Sequence, residues 1–397
     1  MDRRLAALVV TLSLVAGCQV FDESKLDDAG VDAGGDAGTD GGMDASVDGG
    51  CALRRPPTRI DEPDDGVDVG ETVFALRGLD LDFGDEWMTT GFDLDGLCSV
   101  PPDPDVECLA PAGDSIPETD GEEGIDNAIG HQVLPLILAL RPDWEGQVTE
   151  LMEQGRNNVV MRIHGWNGTD EDARVDIVLA ESFYARPGLA DGGGVIHDGG
   201  PLPDGGPLPE GGFPDGSLAP LDEILWPLPR WDGNDTFYVG EGNFLDGIED
   251  QPLVRDSNAY VTDGTFVVRI PDRQGIVFTG ETAATVVHVT DGVFAMRMSP
   301  NHMEIEEATV AGRWAIFDVL ASFEHLQICR GSADYARAQR LLELAADVRS
   351  TPGTGGIGTE CDAVSVGFTF RGTRAHWGGV VPAYPLPNVC LDGGAGP

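Results

Sequence analysis

The sequence predicts an α+β fold, namely a mostly antiparallel β-sheet with two C-terminal helices, stapled by disulfides. Between Trp231 and Ala311, short apolar strands alternate with Asp-Gly pairs, and this pattern indicates hairpins. Two stretches with a helical spacing of apolar residues follow this region. Strands in one run and helices in the next are typical of the α+β class.

The first half of the folded region predicts three strands and two short helices. Apolar alternation predicts a strand at 71–83, and the runs 159–163 and 175–179 predict the two strands of one hairpin. Helices are expected at 129–140, before Pro142, and at 145–154, before Gly155.

The second half predicts two more hairpins, two helices and a last strand. The hairpin turns are expected at Asp263-Gly264, between 259–261 and 265–270, and at Asp291-Gly292, between 285–289 and 293–298. The helices are expected at 313–328 and after Ser332, a residue type that caps helix N-termini. The last strand is expected at 364–370.

Residues 1–17 have the layout of a secretory signal peptide. A basic pair, Arg3 and Arg4, precedes an uncharged apolar run that is too short to span a bilayer. The end of this stretch, Leu-Val-Ala-Gly before Cys18, resembles the lipobox of bacterial lipoproteins. The resemblance implies that cleavage precedes Cys18 and that Cys18 carries the lipid anchor. With Gln19 next, it also implies an outer-membrane location in the cell envelope, periplasmic or surface-exposed. The alternative is a soluble secreted protein with a chance cysteine.

Two further segments are low in complexity. Residues 18–50 alternate Asp, Gly and Ala with few large apolar residues, so they predict a disordered tether. The folded extracytoplasmic domain is then expected at 51–397, with a Gly- and Pro-rich insertion at 187–220. A linker between two halves is the alternative interpretation of 187–220.

Six cysteines remain after the anchor, and an even number in an oxidising compartment predicts three disulfides. They are Cys51, Cys98, Cys108, Cys329, Cys361 and Cys390. Sequence alone cannot fix the pairing. The pairs expected are Cys98–Cys108, as a local bridge, then Cys329–Cys361 and Cys51–Cys390. A zinc site is the alternative, but the sequence contains no Cys-x-x-Cys motif.

The charge balance limits the partners. The 397 residues include 69 acidic and 24 basic ones, for a formal net charge of -45. Nucleic-acid binding is not expected, because phosphate contacts require clustered Lys and Arg. Attraction to anionic lipid headgroups is not expected for the same reason, so the predicted membrane contact is the lipid anchor alone.

A dense acidic segment at 91–127 is the strongest candidate site. Calcium prefers oxygen ligands from flexible acidic loops, and the expected ligands are Asp93, Asp95, Asp120, Asp126 and Asn127. A turn at Gly96 is needed to bring Asp93 and Asp95 to the same side. The Asp-x-Asp-Gly and Gly-Ile-Asp-Asn stretches resemble fragments of thrombospondin type-three repeats, and the resemblance implies calcium. A solvated acidic loop is the alternative.

Catalytic signals are weaker. The sequence contains no nucleophile elbow, zinc-protease motif or phosphate loop. Its histidines are scattered, and no acid–base pair can be chosen among so many carboxylates. Trp166, which lies in a predicted turn, is the best candidate for an exposed sugar-binding or peptide-binding ring.

The lipobox, the Asp/Gly/Ala tether and the two acidic stretches together resemble uncharacterised surface lipoproteins of myxobacteria. The resemblance implies a compartment and no activity. The sequence therefore favours a membrane-anchored surface lipoprotein with a binding or structural role and with calcium as its expected cofactor, rather than an enzyme. The alternative is a glycan hydrolase tethered at the cell surface. Whether the ligand is a protein or a glycan is left open.

Overall fold

Eight of the ten strands join edge to edge into a closed antiparallel barrel in this computed structural model. The structure describes residues 52–61, 67–80, 84, 86–99, 105–111, 119–140, 142, 144–188, 228–271, 274–279, 284–325, 328–356, 358–381 and 390. All of them belong to one unit, Val47–Pro397.

The strands are β1 (Thr72–Asp80), β2 (Asn158–His164), β3 (Asp172–Arg186), β4 (Thr236–Gly240), β5 (Val254–Thr262), β6 (Thr265–Ile270), β7 (Gln274–Thr279), β8 (Ala284–Met298), β9 (Glu304–Ala315) and β10 (Ala363–Val381). The helices are α1 (Leu134–Leu140), α2 (Trp144–Glu153), α3 (Ile316–His325) and α4 (Ala333–Ala345). A π-helical turn, Ile129–Val133, leads into α1.

The ring runs β1–β2–β3–β5–β6–β8–β9–β10 and returns to β1. The closing ladder is antiparallel and places Val73 opposite Ala375. β7 extends β8 outside the ring, and β4 lies between the ends of β3 and β10. A closed ring leaves no unpaired edge on its eight strands.

Apolar side chains from every strand of the ring fill the interior. On β1, Phe74 and Leu76 belong to this interior cluster, whereas Val73 and Ala75 belong to a second cluster outside the barrel. The second cluster also contains Phe237 of β4. β4 therefore covers the outer faces of β1 and β2, so these strands are apolar on both sides.

The helices pack against the interior cluster. Val319 and Phe323 of α3 and Leu342 of α4 are fully buried within it. Ser332 caps α4 as predicted, because its Oγ accepts a hydrogen bond of 3.0 Å from the Tyr335 amide. No helix among the described residues is long and apolar enough to cross a membrane.

The predicted α+β class is wrong. The protein is mostly β, its sheet closes into a barrel, and its helices are few and short. The two C-terminal helices exist, but the first of them begins at Ile316, because Arg313 to Ala315 still belong to β9. The physical reason for the error is that closure depends on pairs such as Val73 with Ala375, which no local pattern encodes.

The hairpin predictions have different outcomes. The 159–163 and 175–179 hairpin is confirmed, and so is the Asp263-Gly264 turn, where Asp263 and Gly264 both have positive φ and Thr262 pairs with Thr265. The turn at Asp291-Gly292 is wrong. β8 continues through these residues with a register shift against β9, so the pair forms a bulge.

Disulfide stapling is confirmed, but the expected pairs are wrong. The structure contains Cys108–Cys361 and Cys329–Cys390, with Cα–Cα distances of 5.1 and 5.3 Å. Cys98 is also disulfide-bonded. A parallel bridge between Leu109 and Glu360 sets Cys108 beside Cys361, although they are distant in sequence. The Cys98–Cys108, Cys329–Cys361 and Cys51–Cys390 pairs are thereby ruled out.

Several predictions lie outside the described residues. They concern the signal peptide at 1–17, Cys18, the tether at 18–50, Cys51, and the insertion at 187–220 beyond residue 188.

Candidate metal centre

Three carboxylates of the predicted calcium site converge outside the barrel. One oxygen from each of Asp93, Asp95 and Asp126 lies within 4.8 Å of the other two. Asp93 and Asp126 are only 2% and 4% exposed, and Asp95 is half-buried. Two oxygens bound to one calcium ion at about 2.3–2.6 Å can be at most about 5 Å apart. The spacing therefore fits a shared cation.

A turn at Gly96 brings the first two carboxylates together, as predicted. Gly96 has a φ of 85°, a left-handed conformation that glycine adopts without steric cost. The Gly96 amide donates a 2.7 Å hydrogen bond to Asp93 Oδ1, and the Leu97 amide donates one of 2.8 Å to Asp95 Oδ1. The two side chains thus fix the turn that presents them.

Asp126 and Asp120 come from a second segment that lies beside this turn. The Leu94 amide donates a 2.6 Å hydrogen bond to Asp126 Oδ2, and the Ser99 amide donates one of 2.5 Å to Asp120 Oδ2. Asp120 is not among the three converging groups. Its charge nevertheless acts on the same cluster, because it helps to raise the pKa of Asp126.

Asn127 fastens this second segment to the barrel. Its Oδ1 accepts 3.0 Å hydrogen bonds from the amides of Gly130 and Gly367, and its Nδ2 donates a 2.9 Å bond to the Thr90 carbonyl. Gly367 belongs to β10, and a Cβ there would lie 2.3 Å from the Thr90 oxygen. The side-chain amide of Asn127 is therefore already engaged in anchoring this segment.

Sequence reasoning missed Arg313 of β9, which donates a hydrogen bond to the backbone next to this turn. This residue is 1% exposed on β9 and faces outward, away from the barrel interior. Its Nη1 lies 2.6 Å from Glu107 Oε2, and its Nη2 donates a 2.7 Å hydrogen bond to the Leu94 carbonyl. The available signal was a single arginine in an otherwise apolar run, but the sequence predicts a helix that begins at this arginine.

One cation already touches the cluster. Arg55 Nη2 lies 2.6 Å from Asp93 Oδ2, and about half of the Arg55 side chain is exposed. That oxygen is buried and makes no hydrogen bond of acceptable geometry. The Arg55 contact is therefore an ion pair that neutralises the charge of Asp93 but does not give Oδ2 a well-aligned hydrogen bond.

Burial and mutual repulsion raise the pKa of these carboxyls. Burial, together with the charges of Asp93 and Glu107, raises the pKa of Asp95 to about 6. Burial, with the charges of Asp95 and Asp93, raises the pKa of Asp120 to about 7. Burial raises the pKa of Asp126 well above its usual value, and the charges of Asp95 and Asp120 add to this shift. The folded protein thus resists ionisation of the cluster.

The other sequence candidates do not extend this site. The expectation that Trp166 is exposed is wrong, because it is 2% exposed and its Nε1 donates a 2.9 Å hydrogen bond to the Thr169 carbonyl. Among the described residues, the group that could hold a metal contains no histidine or cysteine. The chain matches no protein-family model, no curated protein and no solved structure.

Proposed function

We propose that this chain is a lipid-anchored envelope protein with a binding or structural role, stabilised by a calcium ion at Asp93, Asp95 and Asp126. Asp120 adds negative charge beside the site, because its charge acts on the Asp126 carboxyl. The observation that supports this proposal is the convergence of three carboxylate oxygens within 4.8 Å. The ion would join the turn at Gly96 to the segment that ends at Asn127.

The local charge balance favours a divalent cation. The nearby guanidinium groups are those of Arg55 and Arg313, and Arg313 is already paired with Glu107. The carboxylates of the cluster therefore keep an excess of negative charge, and this excess disfavours the compact turn. Calcium accepts an irregular set of carboxylates, carbonyls and waters, whereas magnesium requires near-octahedral geometry. This irregular loop therefore favours calcium.

We expect calcium to bind the metal-free protein in isothermal titration calorimetry, and Asp126→Asn to weaken binding about tenfold or more. Asparagine has nearly the same shape and can still accept the hydrogen bond from Leu94, so the main change is the loss of one charge. The matched control is Asp250→Asn, at an exposed aspartate of another loop, which should leave affinity unchanged.

Two outcomes would contradict the calcium site. The first is the absence of binding by the native protein at millimolar calcium. The second is equal affinity in the native protein and in Asp126→Asn. Either result would leave the solvated acidic loop as the better interpretation. A parallel titration with magnesium tests the choice of ion.

The anchor rests on the lipobox-like stretch before Cys18, which lies outside the described residues. We expect Cys18→Ser to move the protein from the detergent phase to the aqueous phase and to abolish acyl labelling. Ser24→Ala, in the tether, is the control and should remain labelled. Native protein that is unlabelled and aqueous would support the soluble secreted alternative.

No observation on the described residues favours the hydrolase alternative. Asp93 and Asp126 are buried, and Trp166 belongs to the interior cluster.

A further inference from the structure

Arg55 reaches the carboxylate cluster from the solvent side. Its Nη2 lies 2.6 Å from Asp93 Oδ2, and 51% of its side chain is exposed, whereas the side chain of Asp93 is fully buried. The guanidinium also lies over the turn, because a Cβ at Gly96 would be 3.3 Å from the same nitrogen. Arg55 therefore stands between a buried carboxylate oxygen and solvent.

Asp93 Oδ2 is the oxygen of this residue that is left for a cation. The other oxygen, Oδ1, accepts the hydrogen bond from the Gly96 amide. Oδ2 is buried and accepts no well-aligned hydrogen bond, although nearly all buried polar atoms in proteins have such a partner. A buried, negatively charged oxygen without a hydrogen bond is suited to a hard cation.

The backbone beside Arg55 is fixed, so the side chain is the part that can move. The Arg54 amide donates a 2.7 Å hydrogen bond to the Glu123 carbonyl, and the Arg54 carbonyl accepts one of 2.8 Å from the Asp93 amide. A half-exposed guanidinium can exchange its ion pair for water at little cost. Withdrawal of this side chain gives an ion from solvent a way to the buried oxygen.

Arg55 and calcium cannot share this oxygen without repulsion. An ion bound to Oδ2 at about 2.3–2.6 Å would lie at most about 5 Å from Nη2, whatever its direction. Two positive charges at such a distance repel each other. A monovalent ion brings only the charge that the guanidinium already supplies, whereas a divalent ion adds a second charge.

We propose that Arg55 sets the ion selectivity of the calcium site, because its guanidinium takes the place of a monovalent cation on Asp93 and only a divalent cation displaces it. This inference rests on the calcium site proposed above. Its consequence is that the native protein binds calcium more weakly than its carboxylates alone would, but discriminates against sodium.

Calorimetric titration of metal-free protein with calcium tests this role. We expect Arg55→Gln to bind calcium about tenfold more tightly than the native protein, because the competing charge is lost. Arg55→Lys keeps the charge and should bind calcium as the native protein does. The matched control is Arg255→Gln. Arg255 is 47% exposed, forms a 2.6 Å ion pair with Asp176, and lies on β5, across the ring from β10.

Sodium provides a second measurement. Replacing choline chloride by sodium chloride at an ionic strength of about 0.15 M should leave the calcium affinity of the native protein unchanged. The same replacement should weaken calcium binding by Arg55→Gln several-fold, because sodium then competes for the open site. Circular dichroism and thermal unfolding would establish that each variant is folded.

The outcomes separate this inference from the calcium site itself. Calcium binding by the native protein, with no tighter binding by folded Arg55→Gln, would overturn the role of Arg55 and leave the site standing. Arg55→Lys that binds as tightly as Arg55→Gln, or sodium that weakens binding by the native protein, would also overturn it. No binding by either the native protein or Arg55→Gln would overturn the calcium site and this inference together.

Discussion

Arg313→Leu is expected to lower the free energy of unfolding by about 3–5 kcal/mol. The change leaves the buried Glu107 carboxylate without its guanidinium and removes the donors to the Leu94 and Arg349 carbonyls. The cost is large because Arg313 is 1% exposed, so water cannot replace the lost contacts. Denaturant unfolding with the disulfides intact measures it.

The control is Arg340→Leu, which breaks an exposed ion pair with Glu343 on α4 and should cost at most about 1 kcal/mol. The double variant Arg313→Leu, Glu107→Leu should lose less than the sum of the two single variants, because neither charge is left buried alone. If Arg313→Leu and Arg340→Leu had equal effects, the Arg313 contacts would not carry the stability assigned to them.

Metal-free protein is expected to lose stability as the pH rises from about 5 to about 8, and calcium should remove that loss. The raised pKa values mean that the folded cluster keeps protons that the unfolded chain has released. The stability from these groups is therefore present below pH 4 and declines as the pH passes through 6 and 7, the values for Asp95 and Asp120. Calcium at about 100 times its Kd adds about 2.7 kcal/mol.

Thermal unfolding at several pH values, in chelator and in calcium, measures this effect. The calcium-induced rise in Tm should be largest near pH 8 and should vanish near pH 5, where protons compete for the same oxygens. Asp120→Asn should flatten the decline in chelator, because it removes the carboxyl that titrates near neutral pH. A calcium effect independent of pH would place the ion elsewhere.

Local chemistry accounts for the elements that the sequence identifies correctly. Asp263-Gly264 predicts a turn because both residues tolerate positive φ, and Ser332 predicts a helix start because its hydroxyl accepts from the first turn. The same chemistry misled at Asp291-Gly292, because Asp291 adopts a positive φ within a bulge of β8 just as Asp263 does in a turn.

Closure of the barrel could not be predicted in this way. Alternation shows that one face of a strand is buried, but not which strand is its neighbour. The outer residues Val73 and Ala75 of β1 are also buried, beneath β4, so the expected contrast between an apolar and a polar face is lost. The long-range pairing of β1 with β10 then decides the fold.

The candidate site was predictable where short-range geometry sets it. Asp93, Asp95 and Gly96 form a turn whose hydrogen bonds span at most three residues, and that turn was expected. The roles of Asn127 and Arg313 depend on β10 and β9, which pack against the turn from far along the chain. Without these long-range contacts, the sequence predicts Asn127 to be a calcium ligand and Arg313 to start a helix.

The Cys108–Cys361 bond would keep the molecule covalently connected if the chain were cut once between these two cysteines. The bond joins two cysteines that are 253 positions apart in the sequence, and the low-complexity stretch at 187–220 lies between them. A protease that cleaves once within that stretch would break the chain between β3 and β4. The disulfide would still join the two fragments. The two fragments would still be one molecule, and β1 would still lie between β2 and β10 in the ring. A nicked protein of this kind would stay in one piece until its disulfide was reduced.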